Sequence, residues 1–246
     1  MHGRHLPALG RRFWVALCLA SIFGANMGDF VAHYLHLGHA GGLPFLAAAF
    51  ALVLVAERFD HRAHEAWYWL AIVIVRTAAT NLADFMADDL NLPRLWETVG
   101  LAVLLVVVVA SVRTLSRRPG RDSGDARSLV LSGDAGYWAS MLIAGTLGTV
   151  MGDYLAYDLH LGNVIGSIAL SIVLAGFFVV GARGLIWQVP FYWATVVMVR
   201  AAGTCVGDFL AGRPMGLAVS TLVTGAVFVA MLLVWRSARP ATAPAD

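Results

Sequence analysis

The sequence predicts an all-α polytopic membrane protein, with eight transmembrane helices arranged as four parallel two-helix repeats about a pseudo-fourfold axis. Three observations predict it. The 246 residues are 59% hydrophobic and only 13% charged, with a mean hydropathy of +0.75, whereas soluble domains carry about 25% charge. Eight apolar stretches approach the ~20 residues that cross ~30 Å of hydrocarbon. A frame of an aromatic residue, Trp, fourteen residues and Asp occurs four times.

That frame runs Phe13-Trp14 to Asp29, Tyr68-Trp69 to Asp84, Tyr137-Trp138 to Asp153 and Tyr192-Trp193 to Asp208. Each Asp follows a small residue (Gly28, Ala83, Gly152, Gly207) and precedes an aromatic one (Phe30, Phe85, Tyr154, Phe209). The first pair of Asp residues is 55 positions apart, as is the second, and the two pairs are offset by 124. This register indicates two duplications.

The predicted spans cover 13–35, 43–57, 67–87, 95–114, 137–158, 164–182, 191–211 and 215–235. The first follows Arg4, Arg11 and Arg12 and has the look of a signal peptide, but Trp14 and Asp29 keep the repeat register, so it is read as a retained helix. Residues 116–136 hold Pro119, Gly120, Gly124 and Gly133 among charged residues and read as a cytosolic linker. The chain thus divides into a cytosolic tail (1–12), a four-helix half (13–115), the linker, a second half (137–236) and a second tail (237–246). Each half has an even number of spans, so the repeats are parallel rather than inverted.

Arginine placement sets the orientation. Thirteen Arg residues fall in the tails and in the loops after even-numbered spans; only Arg94 and Arg213 fall on the other side. The positive-inside rule then puts both termini in the cytoplasm. Arg76 and Arg200 sit within spans, one half apart. The chain has no Lys, which excludes lysine Schiff-base chemistry and a P-loop. Cys18 and Cys205 both lie in apolar segments and support neither a disulfide framework nor a Cys-based metal cluster. With no nucleophile–base pair or cofactor motif, an enzyme is not expected, nor is a nucleic-acid partner.

Polarity separates inner from outer helices. The odd spans carry Arg76, Thr80, Asn81, Thr146, Thr149, Arg200 and Thr204 beside the repeat aspartates, whereas the even spans are apolar all round, as in Leu101–Ala110. Polar stripes face a bundle interior, so the four odd helices are expected inside. Fifteen residues from Trp to Asp span ~22 Å, which suits a Trp at the cytoplasmic interface and an Asp two thirds of the way across. A carboxylate in lipid costs roughly 2.5–3.5 kcal/mol on insertion scales, so four at equivalent places point to use.

The candidate cation site is Asp29, Asp84, Asp153 and Asp208, with His33, His36, Asp88 and His160 as an outer recruiting cluster one and two turns on. Carboxylate plus imidazole suits a first-row divalent metal ion, expected as cargo; no resident cofactor is implied. The His33/His36/His39 run equally fits a solvated loop. Arg76 and Arg200 are expected as counter-charges that exchange aspartate partners between states.

These residues carry a resemblance. Four tandem two-span repeats, each with a Trp and a Thr-x-x-Gly-Asp core, resemble a family of uncharacterised bacterial membrane-anchored proteins predicted to act in efflux transport. Thr149–Asp153 and Thr204–Asp208 fit that core; Ala25–Asp29 and Thr80–Asp84 depart by one residue each. The resemblance implies a transporter. The residue reading agrees: a carrier moving a cation through a central path lined by the four aspartates. A cation channel, a proton-coupled solute exporter using the same ring and a non-transporting accessory subunit are the alternatives. The expected partners are the lipid bilayer, the small cation and, compatibly, further copies of the chain.

Overall fold

The computed structural model describes residues 6–60, 64–116, 133–212 and 215–237. They form eight long helices: α1 (Arg11–Asp29), α2 (Gly38–Phe59), α3 (Ala66–Asp84), α4 (Arg94–Ser116), α5 (Ala135–Asp153), α6 (Gly162–Gly181), α7 (Val189–Ala211) and α8 (Leu217–Ser237). Most of the expected linker, much of both tails and Arg213 lie outside the described residues. Seven helices are long and apolar enough to cross a membrane. The exception is α5, which carries Gly145, Gly148, Gly152, Thr146 and Thr149, all of them buried.

The odd helices close on one another: α1 packs on α3, α3 on α5, α5 on α7 and α7 back on α1. Each even helix leans on the odd helix of the next repeat, α2 on α3, α4 on α5, α6 on α7 and α8 on α1. The outer helices bury only 11–28% of their most apolar stretch, against 50–61% for α1, α3 and α7. Leu52, Val106, Ile172 and Leu222 point away from the bundle, two thirds or more exposed. The separation into inner and outer helices follows the sequence pattern.

Close approach inside the ring rests on small residues. A Cβ on Gly24 would overlap Arg76, and one on Gly203 would meet Ser21 at 2.7 Å. Glycine at these places lets neighbouring backbones touch.

The aromatic–Trp pairs have a different place from the one expected. Trp14, Trp69, Trp138 and Trp193 are 9%, 4%, 5% and 6% exposed, so they are core residues and not interfacial anchors. Each packs at a tilt against the aromatic residue of the preceding repeat: Trp69 on Phe13 (5.8 Å between centroids), Trp138 on Tyr68 (5.7 Å), Trp193 on Tyr137 (5.8 Å) and Trp14 on Tyr192 (5.6 Å). The same contact recurs at all four seams, giving an eight-ring girdle. The belt rule reads a Trp at a span end as facing lipid; here the paired aromatic offers a better-packed partner on the neighbouring helix.

Three helices do not end as α-helices. The residues after Asp29, Asp84 and Asp153 form π-helical turns, Phe30–Tyr34, Phe85–Asp89 and Tyr154–Asp158. Their ring-closing bonds run from Leu35 N to Phe30 O, Leu90 N to Phe85 O and Leu159 N to Tyr154 O, each 3.0 Å. In α7 the α-helix continues past Asp208 instead. The loops agree: a left-handed glycine comes nine residues after Asp29 and Asp153 (Gly38, Gly162) but eight after Asp208 (Gly216). The fourth repeat is thus one residue shorter here, which is the residue a π turn accommodates.

Candidate functional site

Stepping four residues at a time along the odd helices generates layers of four equivalent side chains on the inner face. Furthest from the aspartates are Phe13, Tyr68, Tyr137 and Tyr192, at most 3% exposed. Tyr68 and Tyr137 hydroxyls are 2.5 Å apart and those of Tyr137 and Tyr192 3.4 Å. Next come Leu17, Ile72, Met141 and Val196, all wholly buried. Ser21, Arg76, Gly145 and Arg200 follow, then Ala25, Thr80, Thr149 and Thr204, then the aspartates. An apolar and aromatic plug therefore closes the tryptophan end of the ring, ~24 Å below the aspartates by helical rise.

At the other end the ring opens into a pocket of about 580 Å3 lined by all four aspartates. Thr80, Thr149 and Thr204 form its floor, and His33, Asp88, Tyr157 and Gly212, each four residues beyond an Asp, form its rim. None of the four aspartates accepts a hydrogen bond or makes an ion pair among the described residues. Two oxygens in the lining, Thr204 Oγ1 and Asn163 Oδ1, likewise have no partner there. Thr204 is only 2% exposed.

The floor is tied down by Arg200. Its Nε donates to Thr149 Oγ1 (2.8 Å) and its Nη1 to the Ser21 carbonyl (2.8 Å), while Nη2 donates to Thr80 Oγ1. One guanidinium from the fourth repeat thus joins the other three. Thr80 and Thr149 in turn reach the Gly24 and Gly145 carbonyls, which leaves Thr204 as the free floor hydroxyl. Arg76 is equally buried but poorly served: Nη2 reaches only Met141 Sδ at 3.5 Å, and Nε and Nη1 have no partner among the described residues. Neither arginine bridges an aspartate here. Arg200 meets hydroxyls one layer short of the carboxylates because its own-helix Asp is eight residues, ~12 Å, away.

Of the outer cluster, His33 and Asp88 line the pocket; His36 and His160 do not. The reason is the π turn, whose hydrogen-bonded ring closes a residue later than an α turn, so a position seven residues on is rotated off the inner face. His36, Asn91 and His160 instead hold left-handed turns, with φ of 56°, 54° and 55°. The His160 Nδ1 bonds the Tyr157 carbonyl at 2.6 Å, a local cap. Among the described residues, no three His, Cys, Asp or Glu side chains form a ready-made metal-ligand group.

A second rim layer comes from the even helices and was missed. His39, Arg94, Asn163 and Leu217 lie within the first two residues of α2, α4, α6 and α8 and all line the pocket. The first three stand ten residues after their Asp; Leu217 stands nine after Asp208, as the missing residue requires. The repeated offset was the available signal. Two of these residues bridge to the following repeat: His39 Nδ1 is 3.5 Å from Asp89, and Arg94 Nη1 3.4 Å from Asp158. Arg94 also approaches Asp88 at 3.7 Å. The fourth repeat contributes only Ala211, Gly212 and Leu217 around the rim, so one wall is apolar.

A closed ring of repeat helices around a carboxylate pocket defines a repeat-built helical bundle with an internal acidic site. The chain belongs to the family described as Repeat of Unknown Function (DUF347), whose model matches residues 12–62, 67–118, 136–183 and 191–240. Those limits coincide with the four two-helix units. Comparison with the curated proteins and with the solved structures gives no match for this chain. The family description names no activity, so efflux does not follow from it.

Proposed function

We propose that the chain is a pseudo-fourfold, multi-pass transporter of the bacterial inner membrane that carries a cation through the four-aspartate pocket. The observation that carries this is the set of four equivalent carboxylates, without hydrogen-bond or ion-pair partners among the described residues, converging on one pocket closed at its far end. Burying charge without a use is costly, and the acceptors around the pocket suit a positive ligand. Arg-rich loops at the tryptophan end put that end in the cytoplasm. The pocket then faces outward, and the plug of Leu17, Ile72, Met141, Val196 and the aromatic girdle is the inner gate. A two-layer plug, its layers ~6 Å apart and its far layer ~24 Å below the aspartates by helical rise, favours a carrier that rearranges over a standing pore. A divalent metal ion remains within this reading as a hydrated cargo, since a dehydrated one needs several ligands near one point.

Solid-supported membrane recordings on proteoliposomes test it. Jumps of H+, Na+, K+, Mn2+ or a small organic ammonium should give a saturable charge movement with at least one cation. The Asp84→Asn/Asp153→Asn double variant should lose it. The reading fails if no cation gives a current larger in the parent protein than in the double variant.

A further inference from the structure

We propose that the cargo is a linear aliphatic oligoamine, a methylene chain bearing two or more ammonium groups; this rests on the cation-carrier reading above. Size comes first. About 580 Å3 lies within the roughly 300–1,000 Å3 of pockets that hold small organic ligands and far exceeds what a single ion fills. Hydrogen-bond inventory comes second. The four aspartates, Thr204 Oγ1 and Asn163 Oδ1 present acceptors lacking donors among the described residues. An alkylammonium group carries three donors and no acceptor.

Third, the same carboxylates form no ready-made metal-ligand group; they are spread around a ring, as separated ammonium groups require. Fourth, the rim is not uniformly polar. Ala211, Gly212 and Leu217 make one apolar side, a surface that methylenes can cover. Charge sets the valence. Five carboxylates line the pocket, the rim Asp88 being offset by Arg94 at 3.7 Å, while Arg200, and deeper Arg76, lie beneath its floor. Two to three negative charges are left over, which suits a di- or trivalent amine.

Isothermal titration of the detergent-purified full chain tests this with spermidine, 1,4-diaminobutane, n-butylamine and Mn2+ as probes. Spermidine and the diamine should bind saturably, with n-butylamine at least tenfold weaker than the diamine. Asp84→Asn and Asp153→Asn should each weaken spermidine at least tenfold. Leu217→Lys, which sets an ammonium against the apolar wall, should do the same and carries the test if the Asn variants do not elute as folded protein. No saturable heat with either polyamine, or equal affinity for diamine and monoamine, overturns the proposal. Saturable Mn2+ binding with silent amines would replace the cargo while keeping a cation carrier. Silence to every probe together with absent cation currents would defeat both readings.

Discussion

The two buried arginines should behave in opposite ways when each is replaced by Met. Arg200 donates three hydrogen bonds, to Thr149 Oγ1, the Ser21 carbonyl and Thr80 Oγ1, and so links all four repeats. Hydrogen bonds to charged groups contribute about 1.5–3 kcal/mol each. Part of that sum is offset by releasing a buried charge, so the expected loss for Arg200→Met is about 3–5 kcal/mol, the scale seen when a buried charged network is broken. Arg76 has two nitrogens without partners and one thioether contact. Unsatisfied buried donors cost about 1–3 kcal/mol each, and an apolar replacement of similar shape is often neutral or stabilising. Arg76→Met should therefore leave stability unchanged or raise it by up to about 2 kcal/mol. Thermal unfolding in detergent reads this out. At ~2–4 °C per kcal/mol for a chain of this size, Arg200→Met should fall by on the order of 10 °C and Arg76→Met should not fall. An equal drop in both variants would refute the reasoning, because Arg76 would then have partners equivalent to those of Arg200.

Further predictions concern packing, register and orientation. Gly24→Ala should lose about 1–3 kcal/mol by overpacking, since its Cβ would overlap Arg76, whereas Gly41→Ala, with open space around it, should be neutral or gain up to about 1 kcal/mol; denaturation midpoints of the two compare directly. Deleting Ala87 should convert the second π turn to the α form of the fourth repeat and withdraw Arg94 from Asp158. A double-mutant cycle of Arg94→Ala and Asp158→Ala, read by thermal unfolding, should give a coupling of about 0.2–1 kcal/mol in the parent frame and none in the deletion. Reporters active only in the cytoplasm should give signal at Gly124 and Asp246, both outside the described residues, as the arginine asymmetry demands; a periplasmic signal at either would contradict the orientation.

The repeat aspartates were legible because a fixed spacing on a helix fixes a face. Their i−4 threonines and i+4 rim residues followed from the same period, and the pocket contains Thr80, Thr149, Thr204, His33 and Asp88. Spacing stopped working where the helix changed type. His36 and His160 read as pocket ligands on an α-helical frame, but a π turn sends them into left-handed loop positions. Three repeats share that extra residue, so the insertion is invisible until the fourth repeat is compared at Gly216. The tryptophans failed for another reason. A Trp at a span end suits lipid or protein equally by composition, and only the girdle of neighbouring aromatics decides for protein. Arg76 and Arg200 were legible as intramembrane cations, but their partners were not: Arg200 takes hydroxyls a layer away in place of carboxylates two layers away, and Arg76 reaches a thioether.

Protection of a cysteine in the pocket tests the central claim most directly. With Cys18→Ala and Cys205→Ala as background, Leu217→Cys places one thiol on the wall beside the aspartates. A membrane-impermeant maleimide should modify it from the side opposite the termini. Saturating cargo cation should slow that reaction, and the slowing should disappear when all four aspartates are Asn. Labelling from the cytoplasmic side, or a rate indifferent to every cation with the aspartates intact, would contradict a cation site held in an outward-facing pocket.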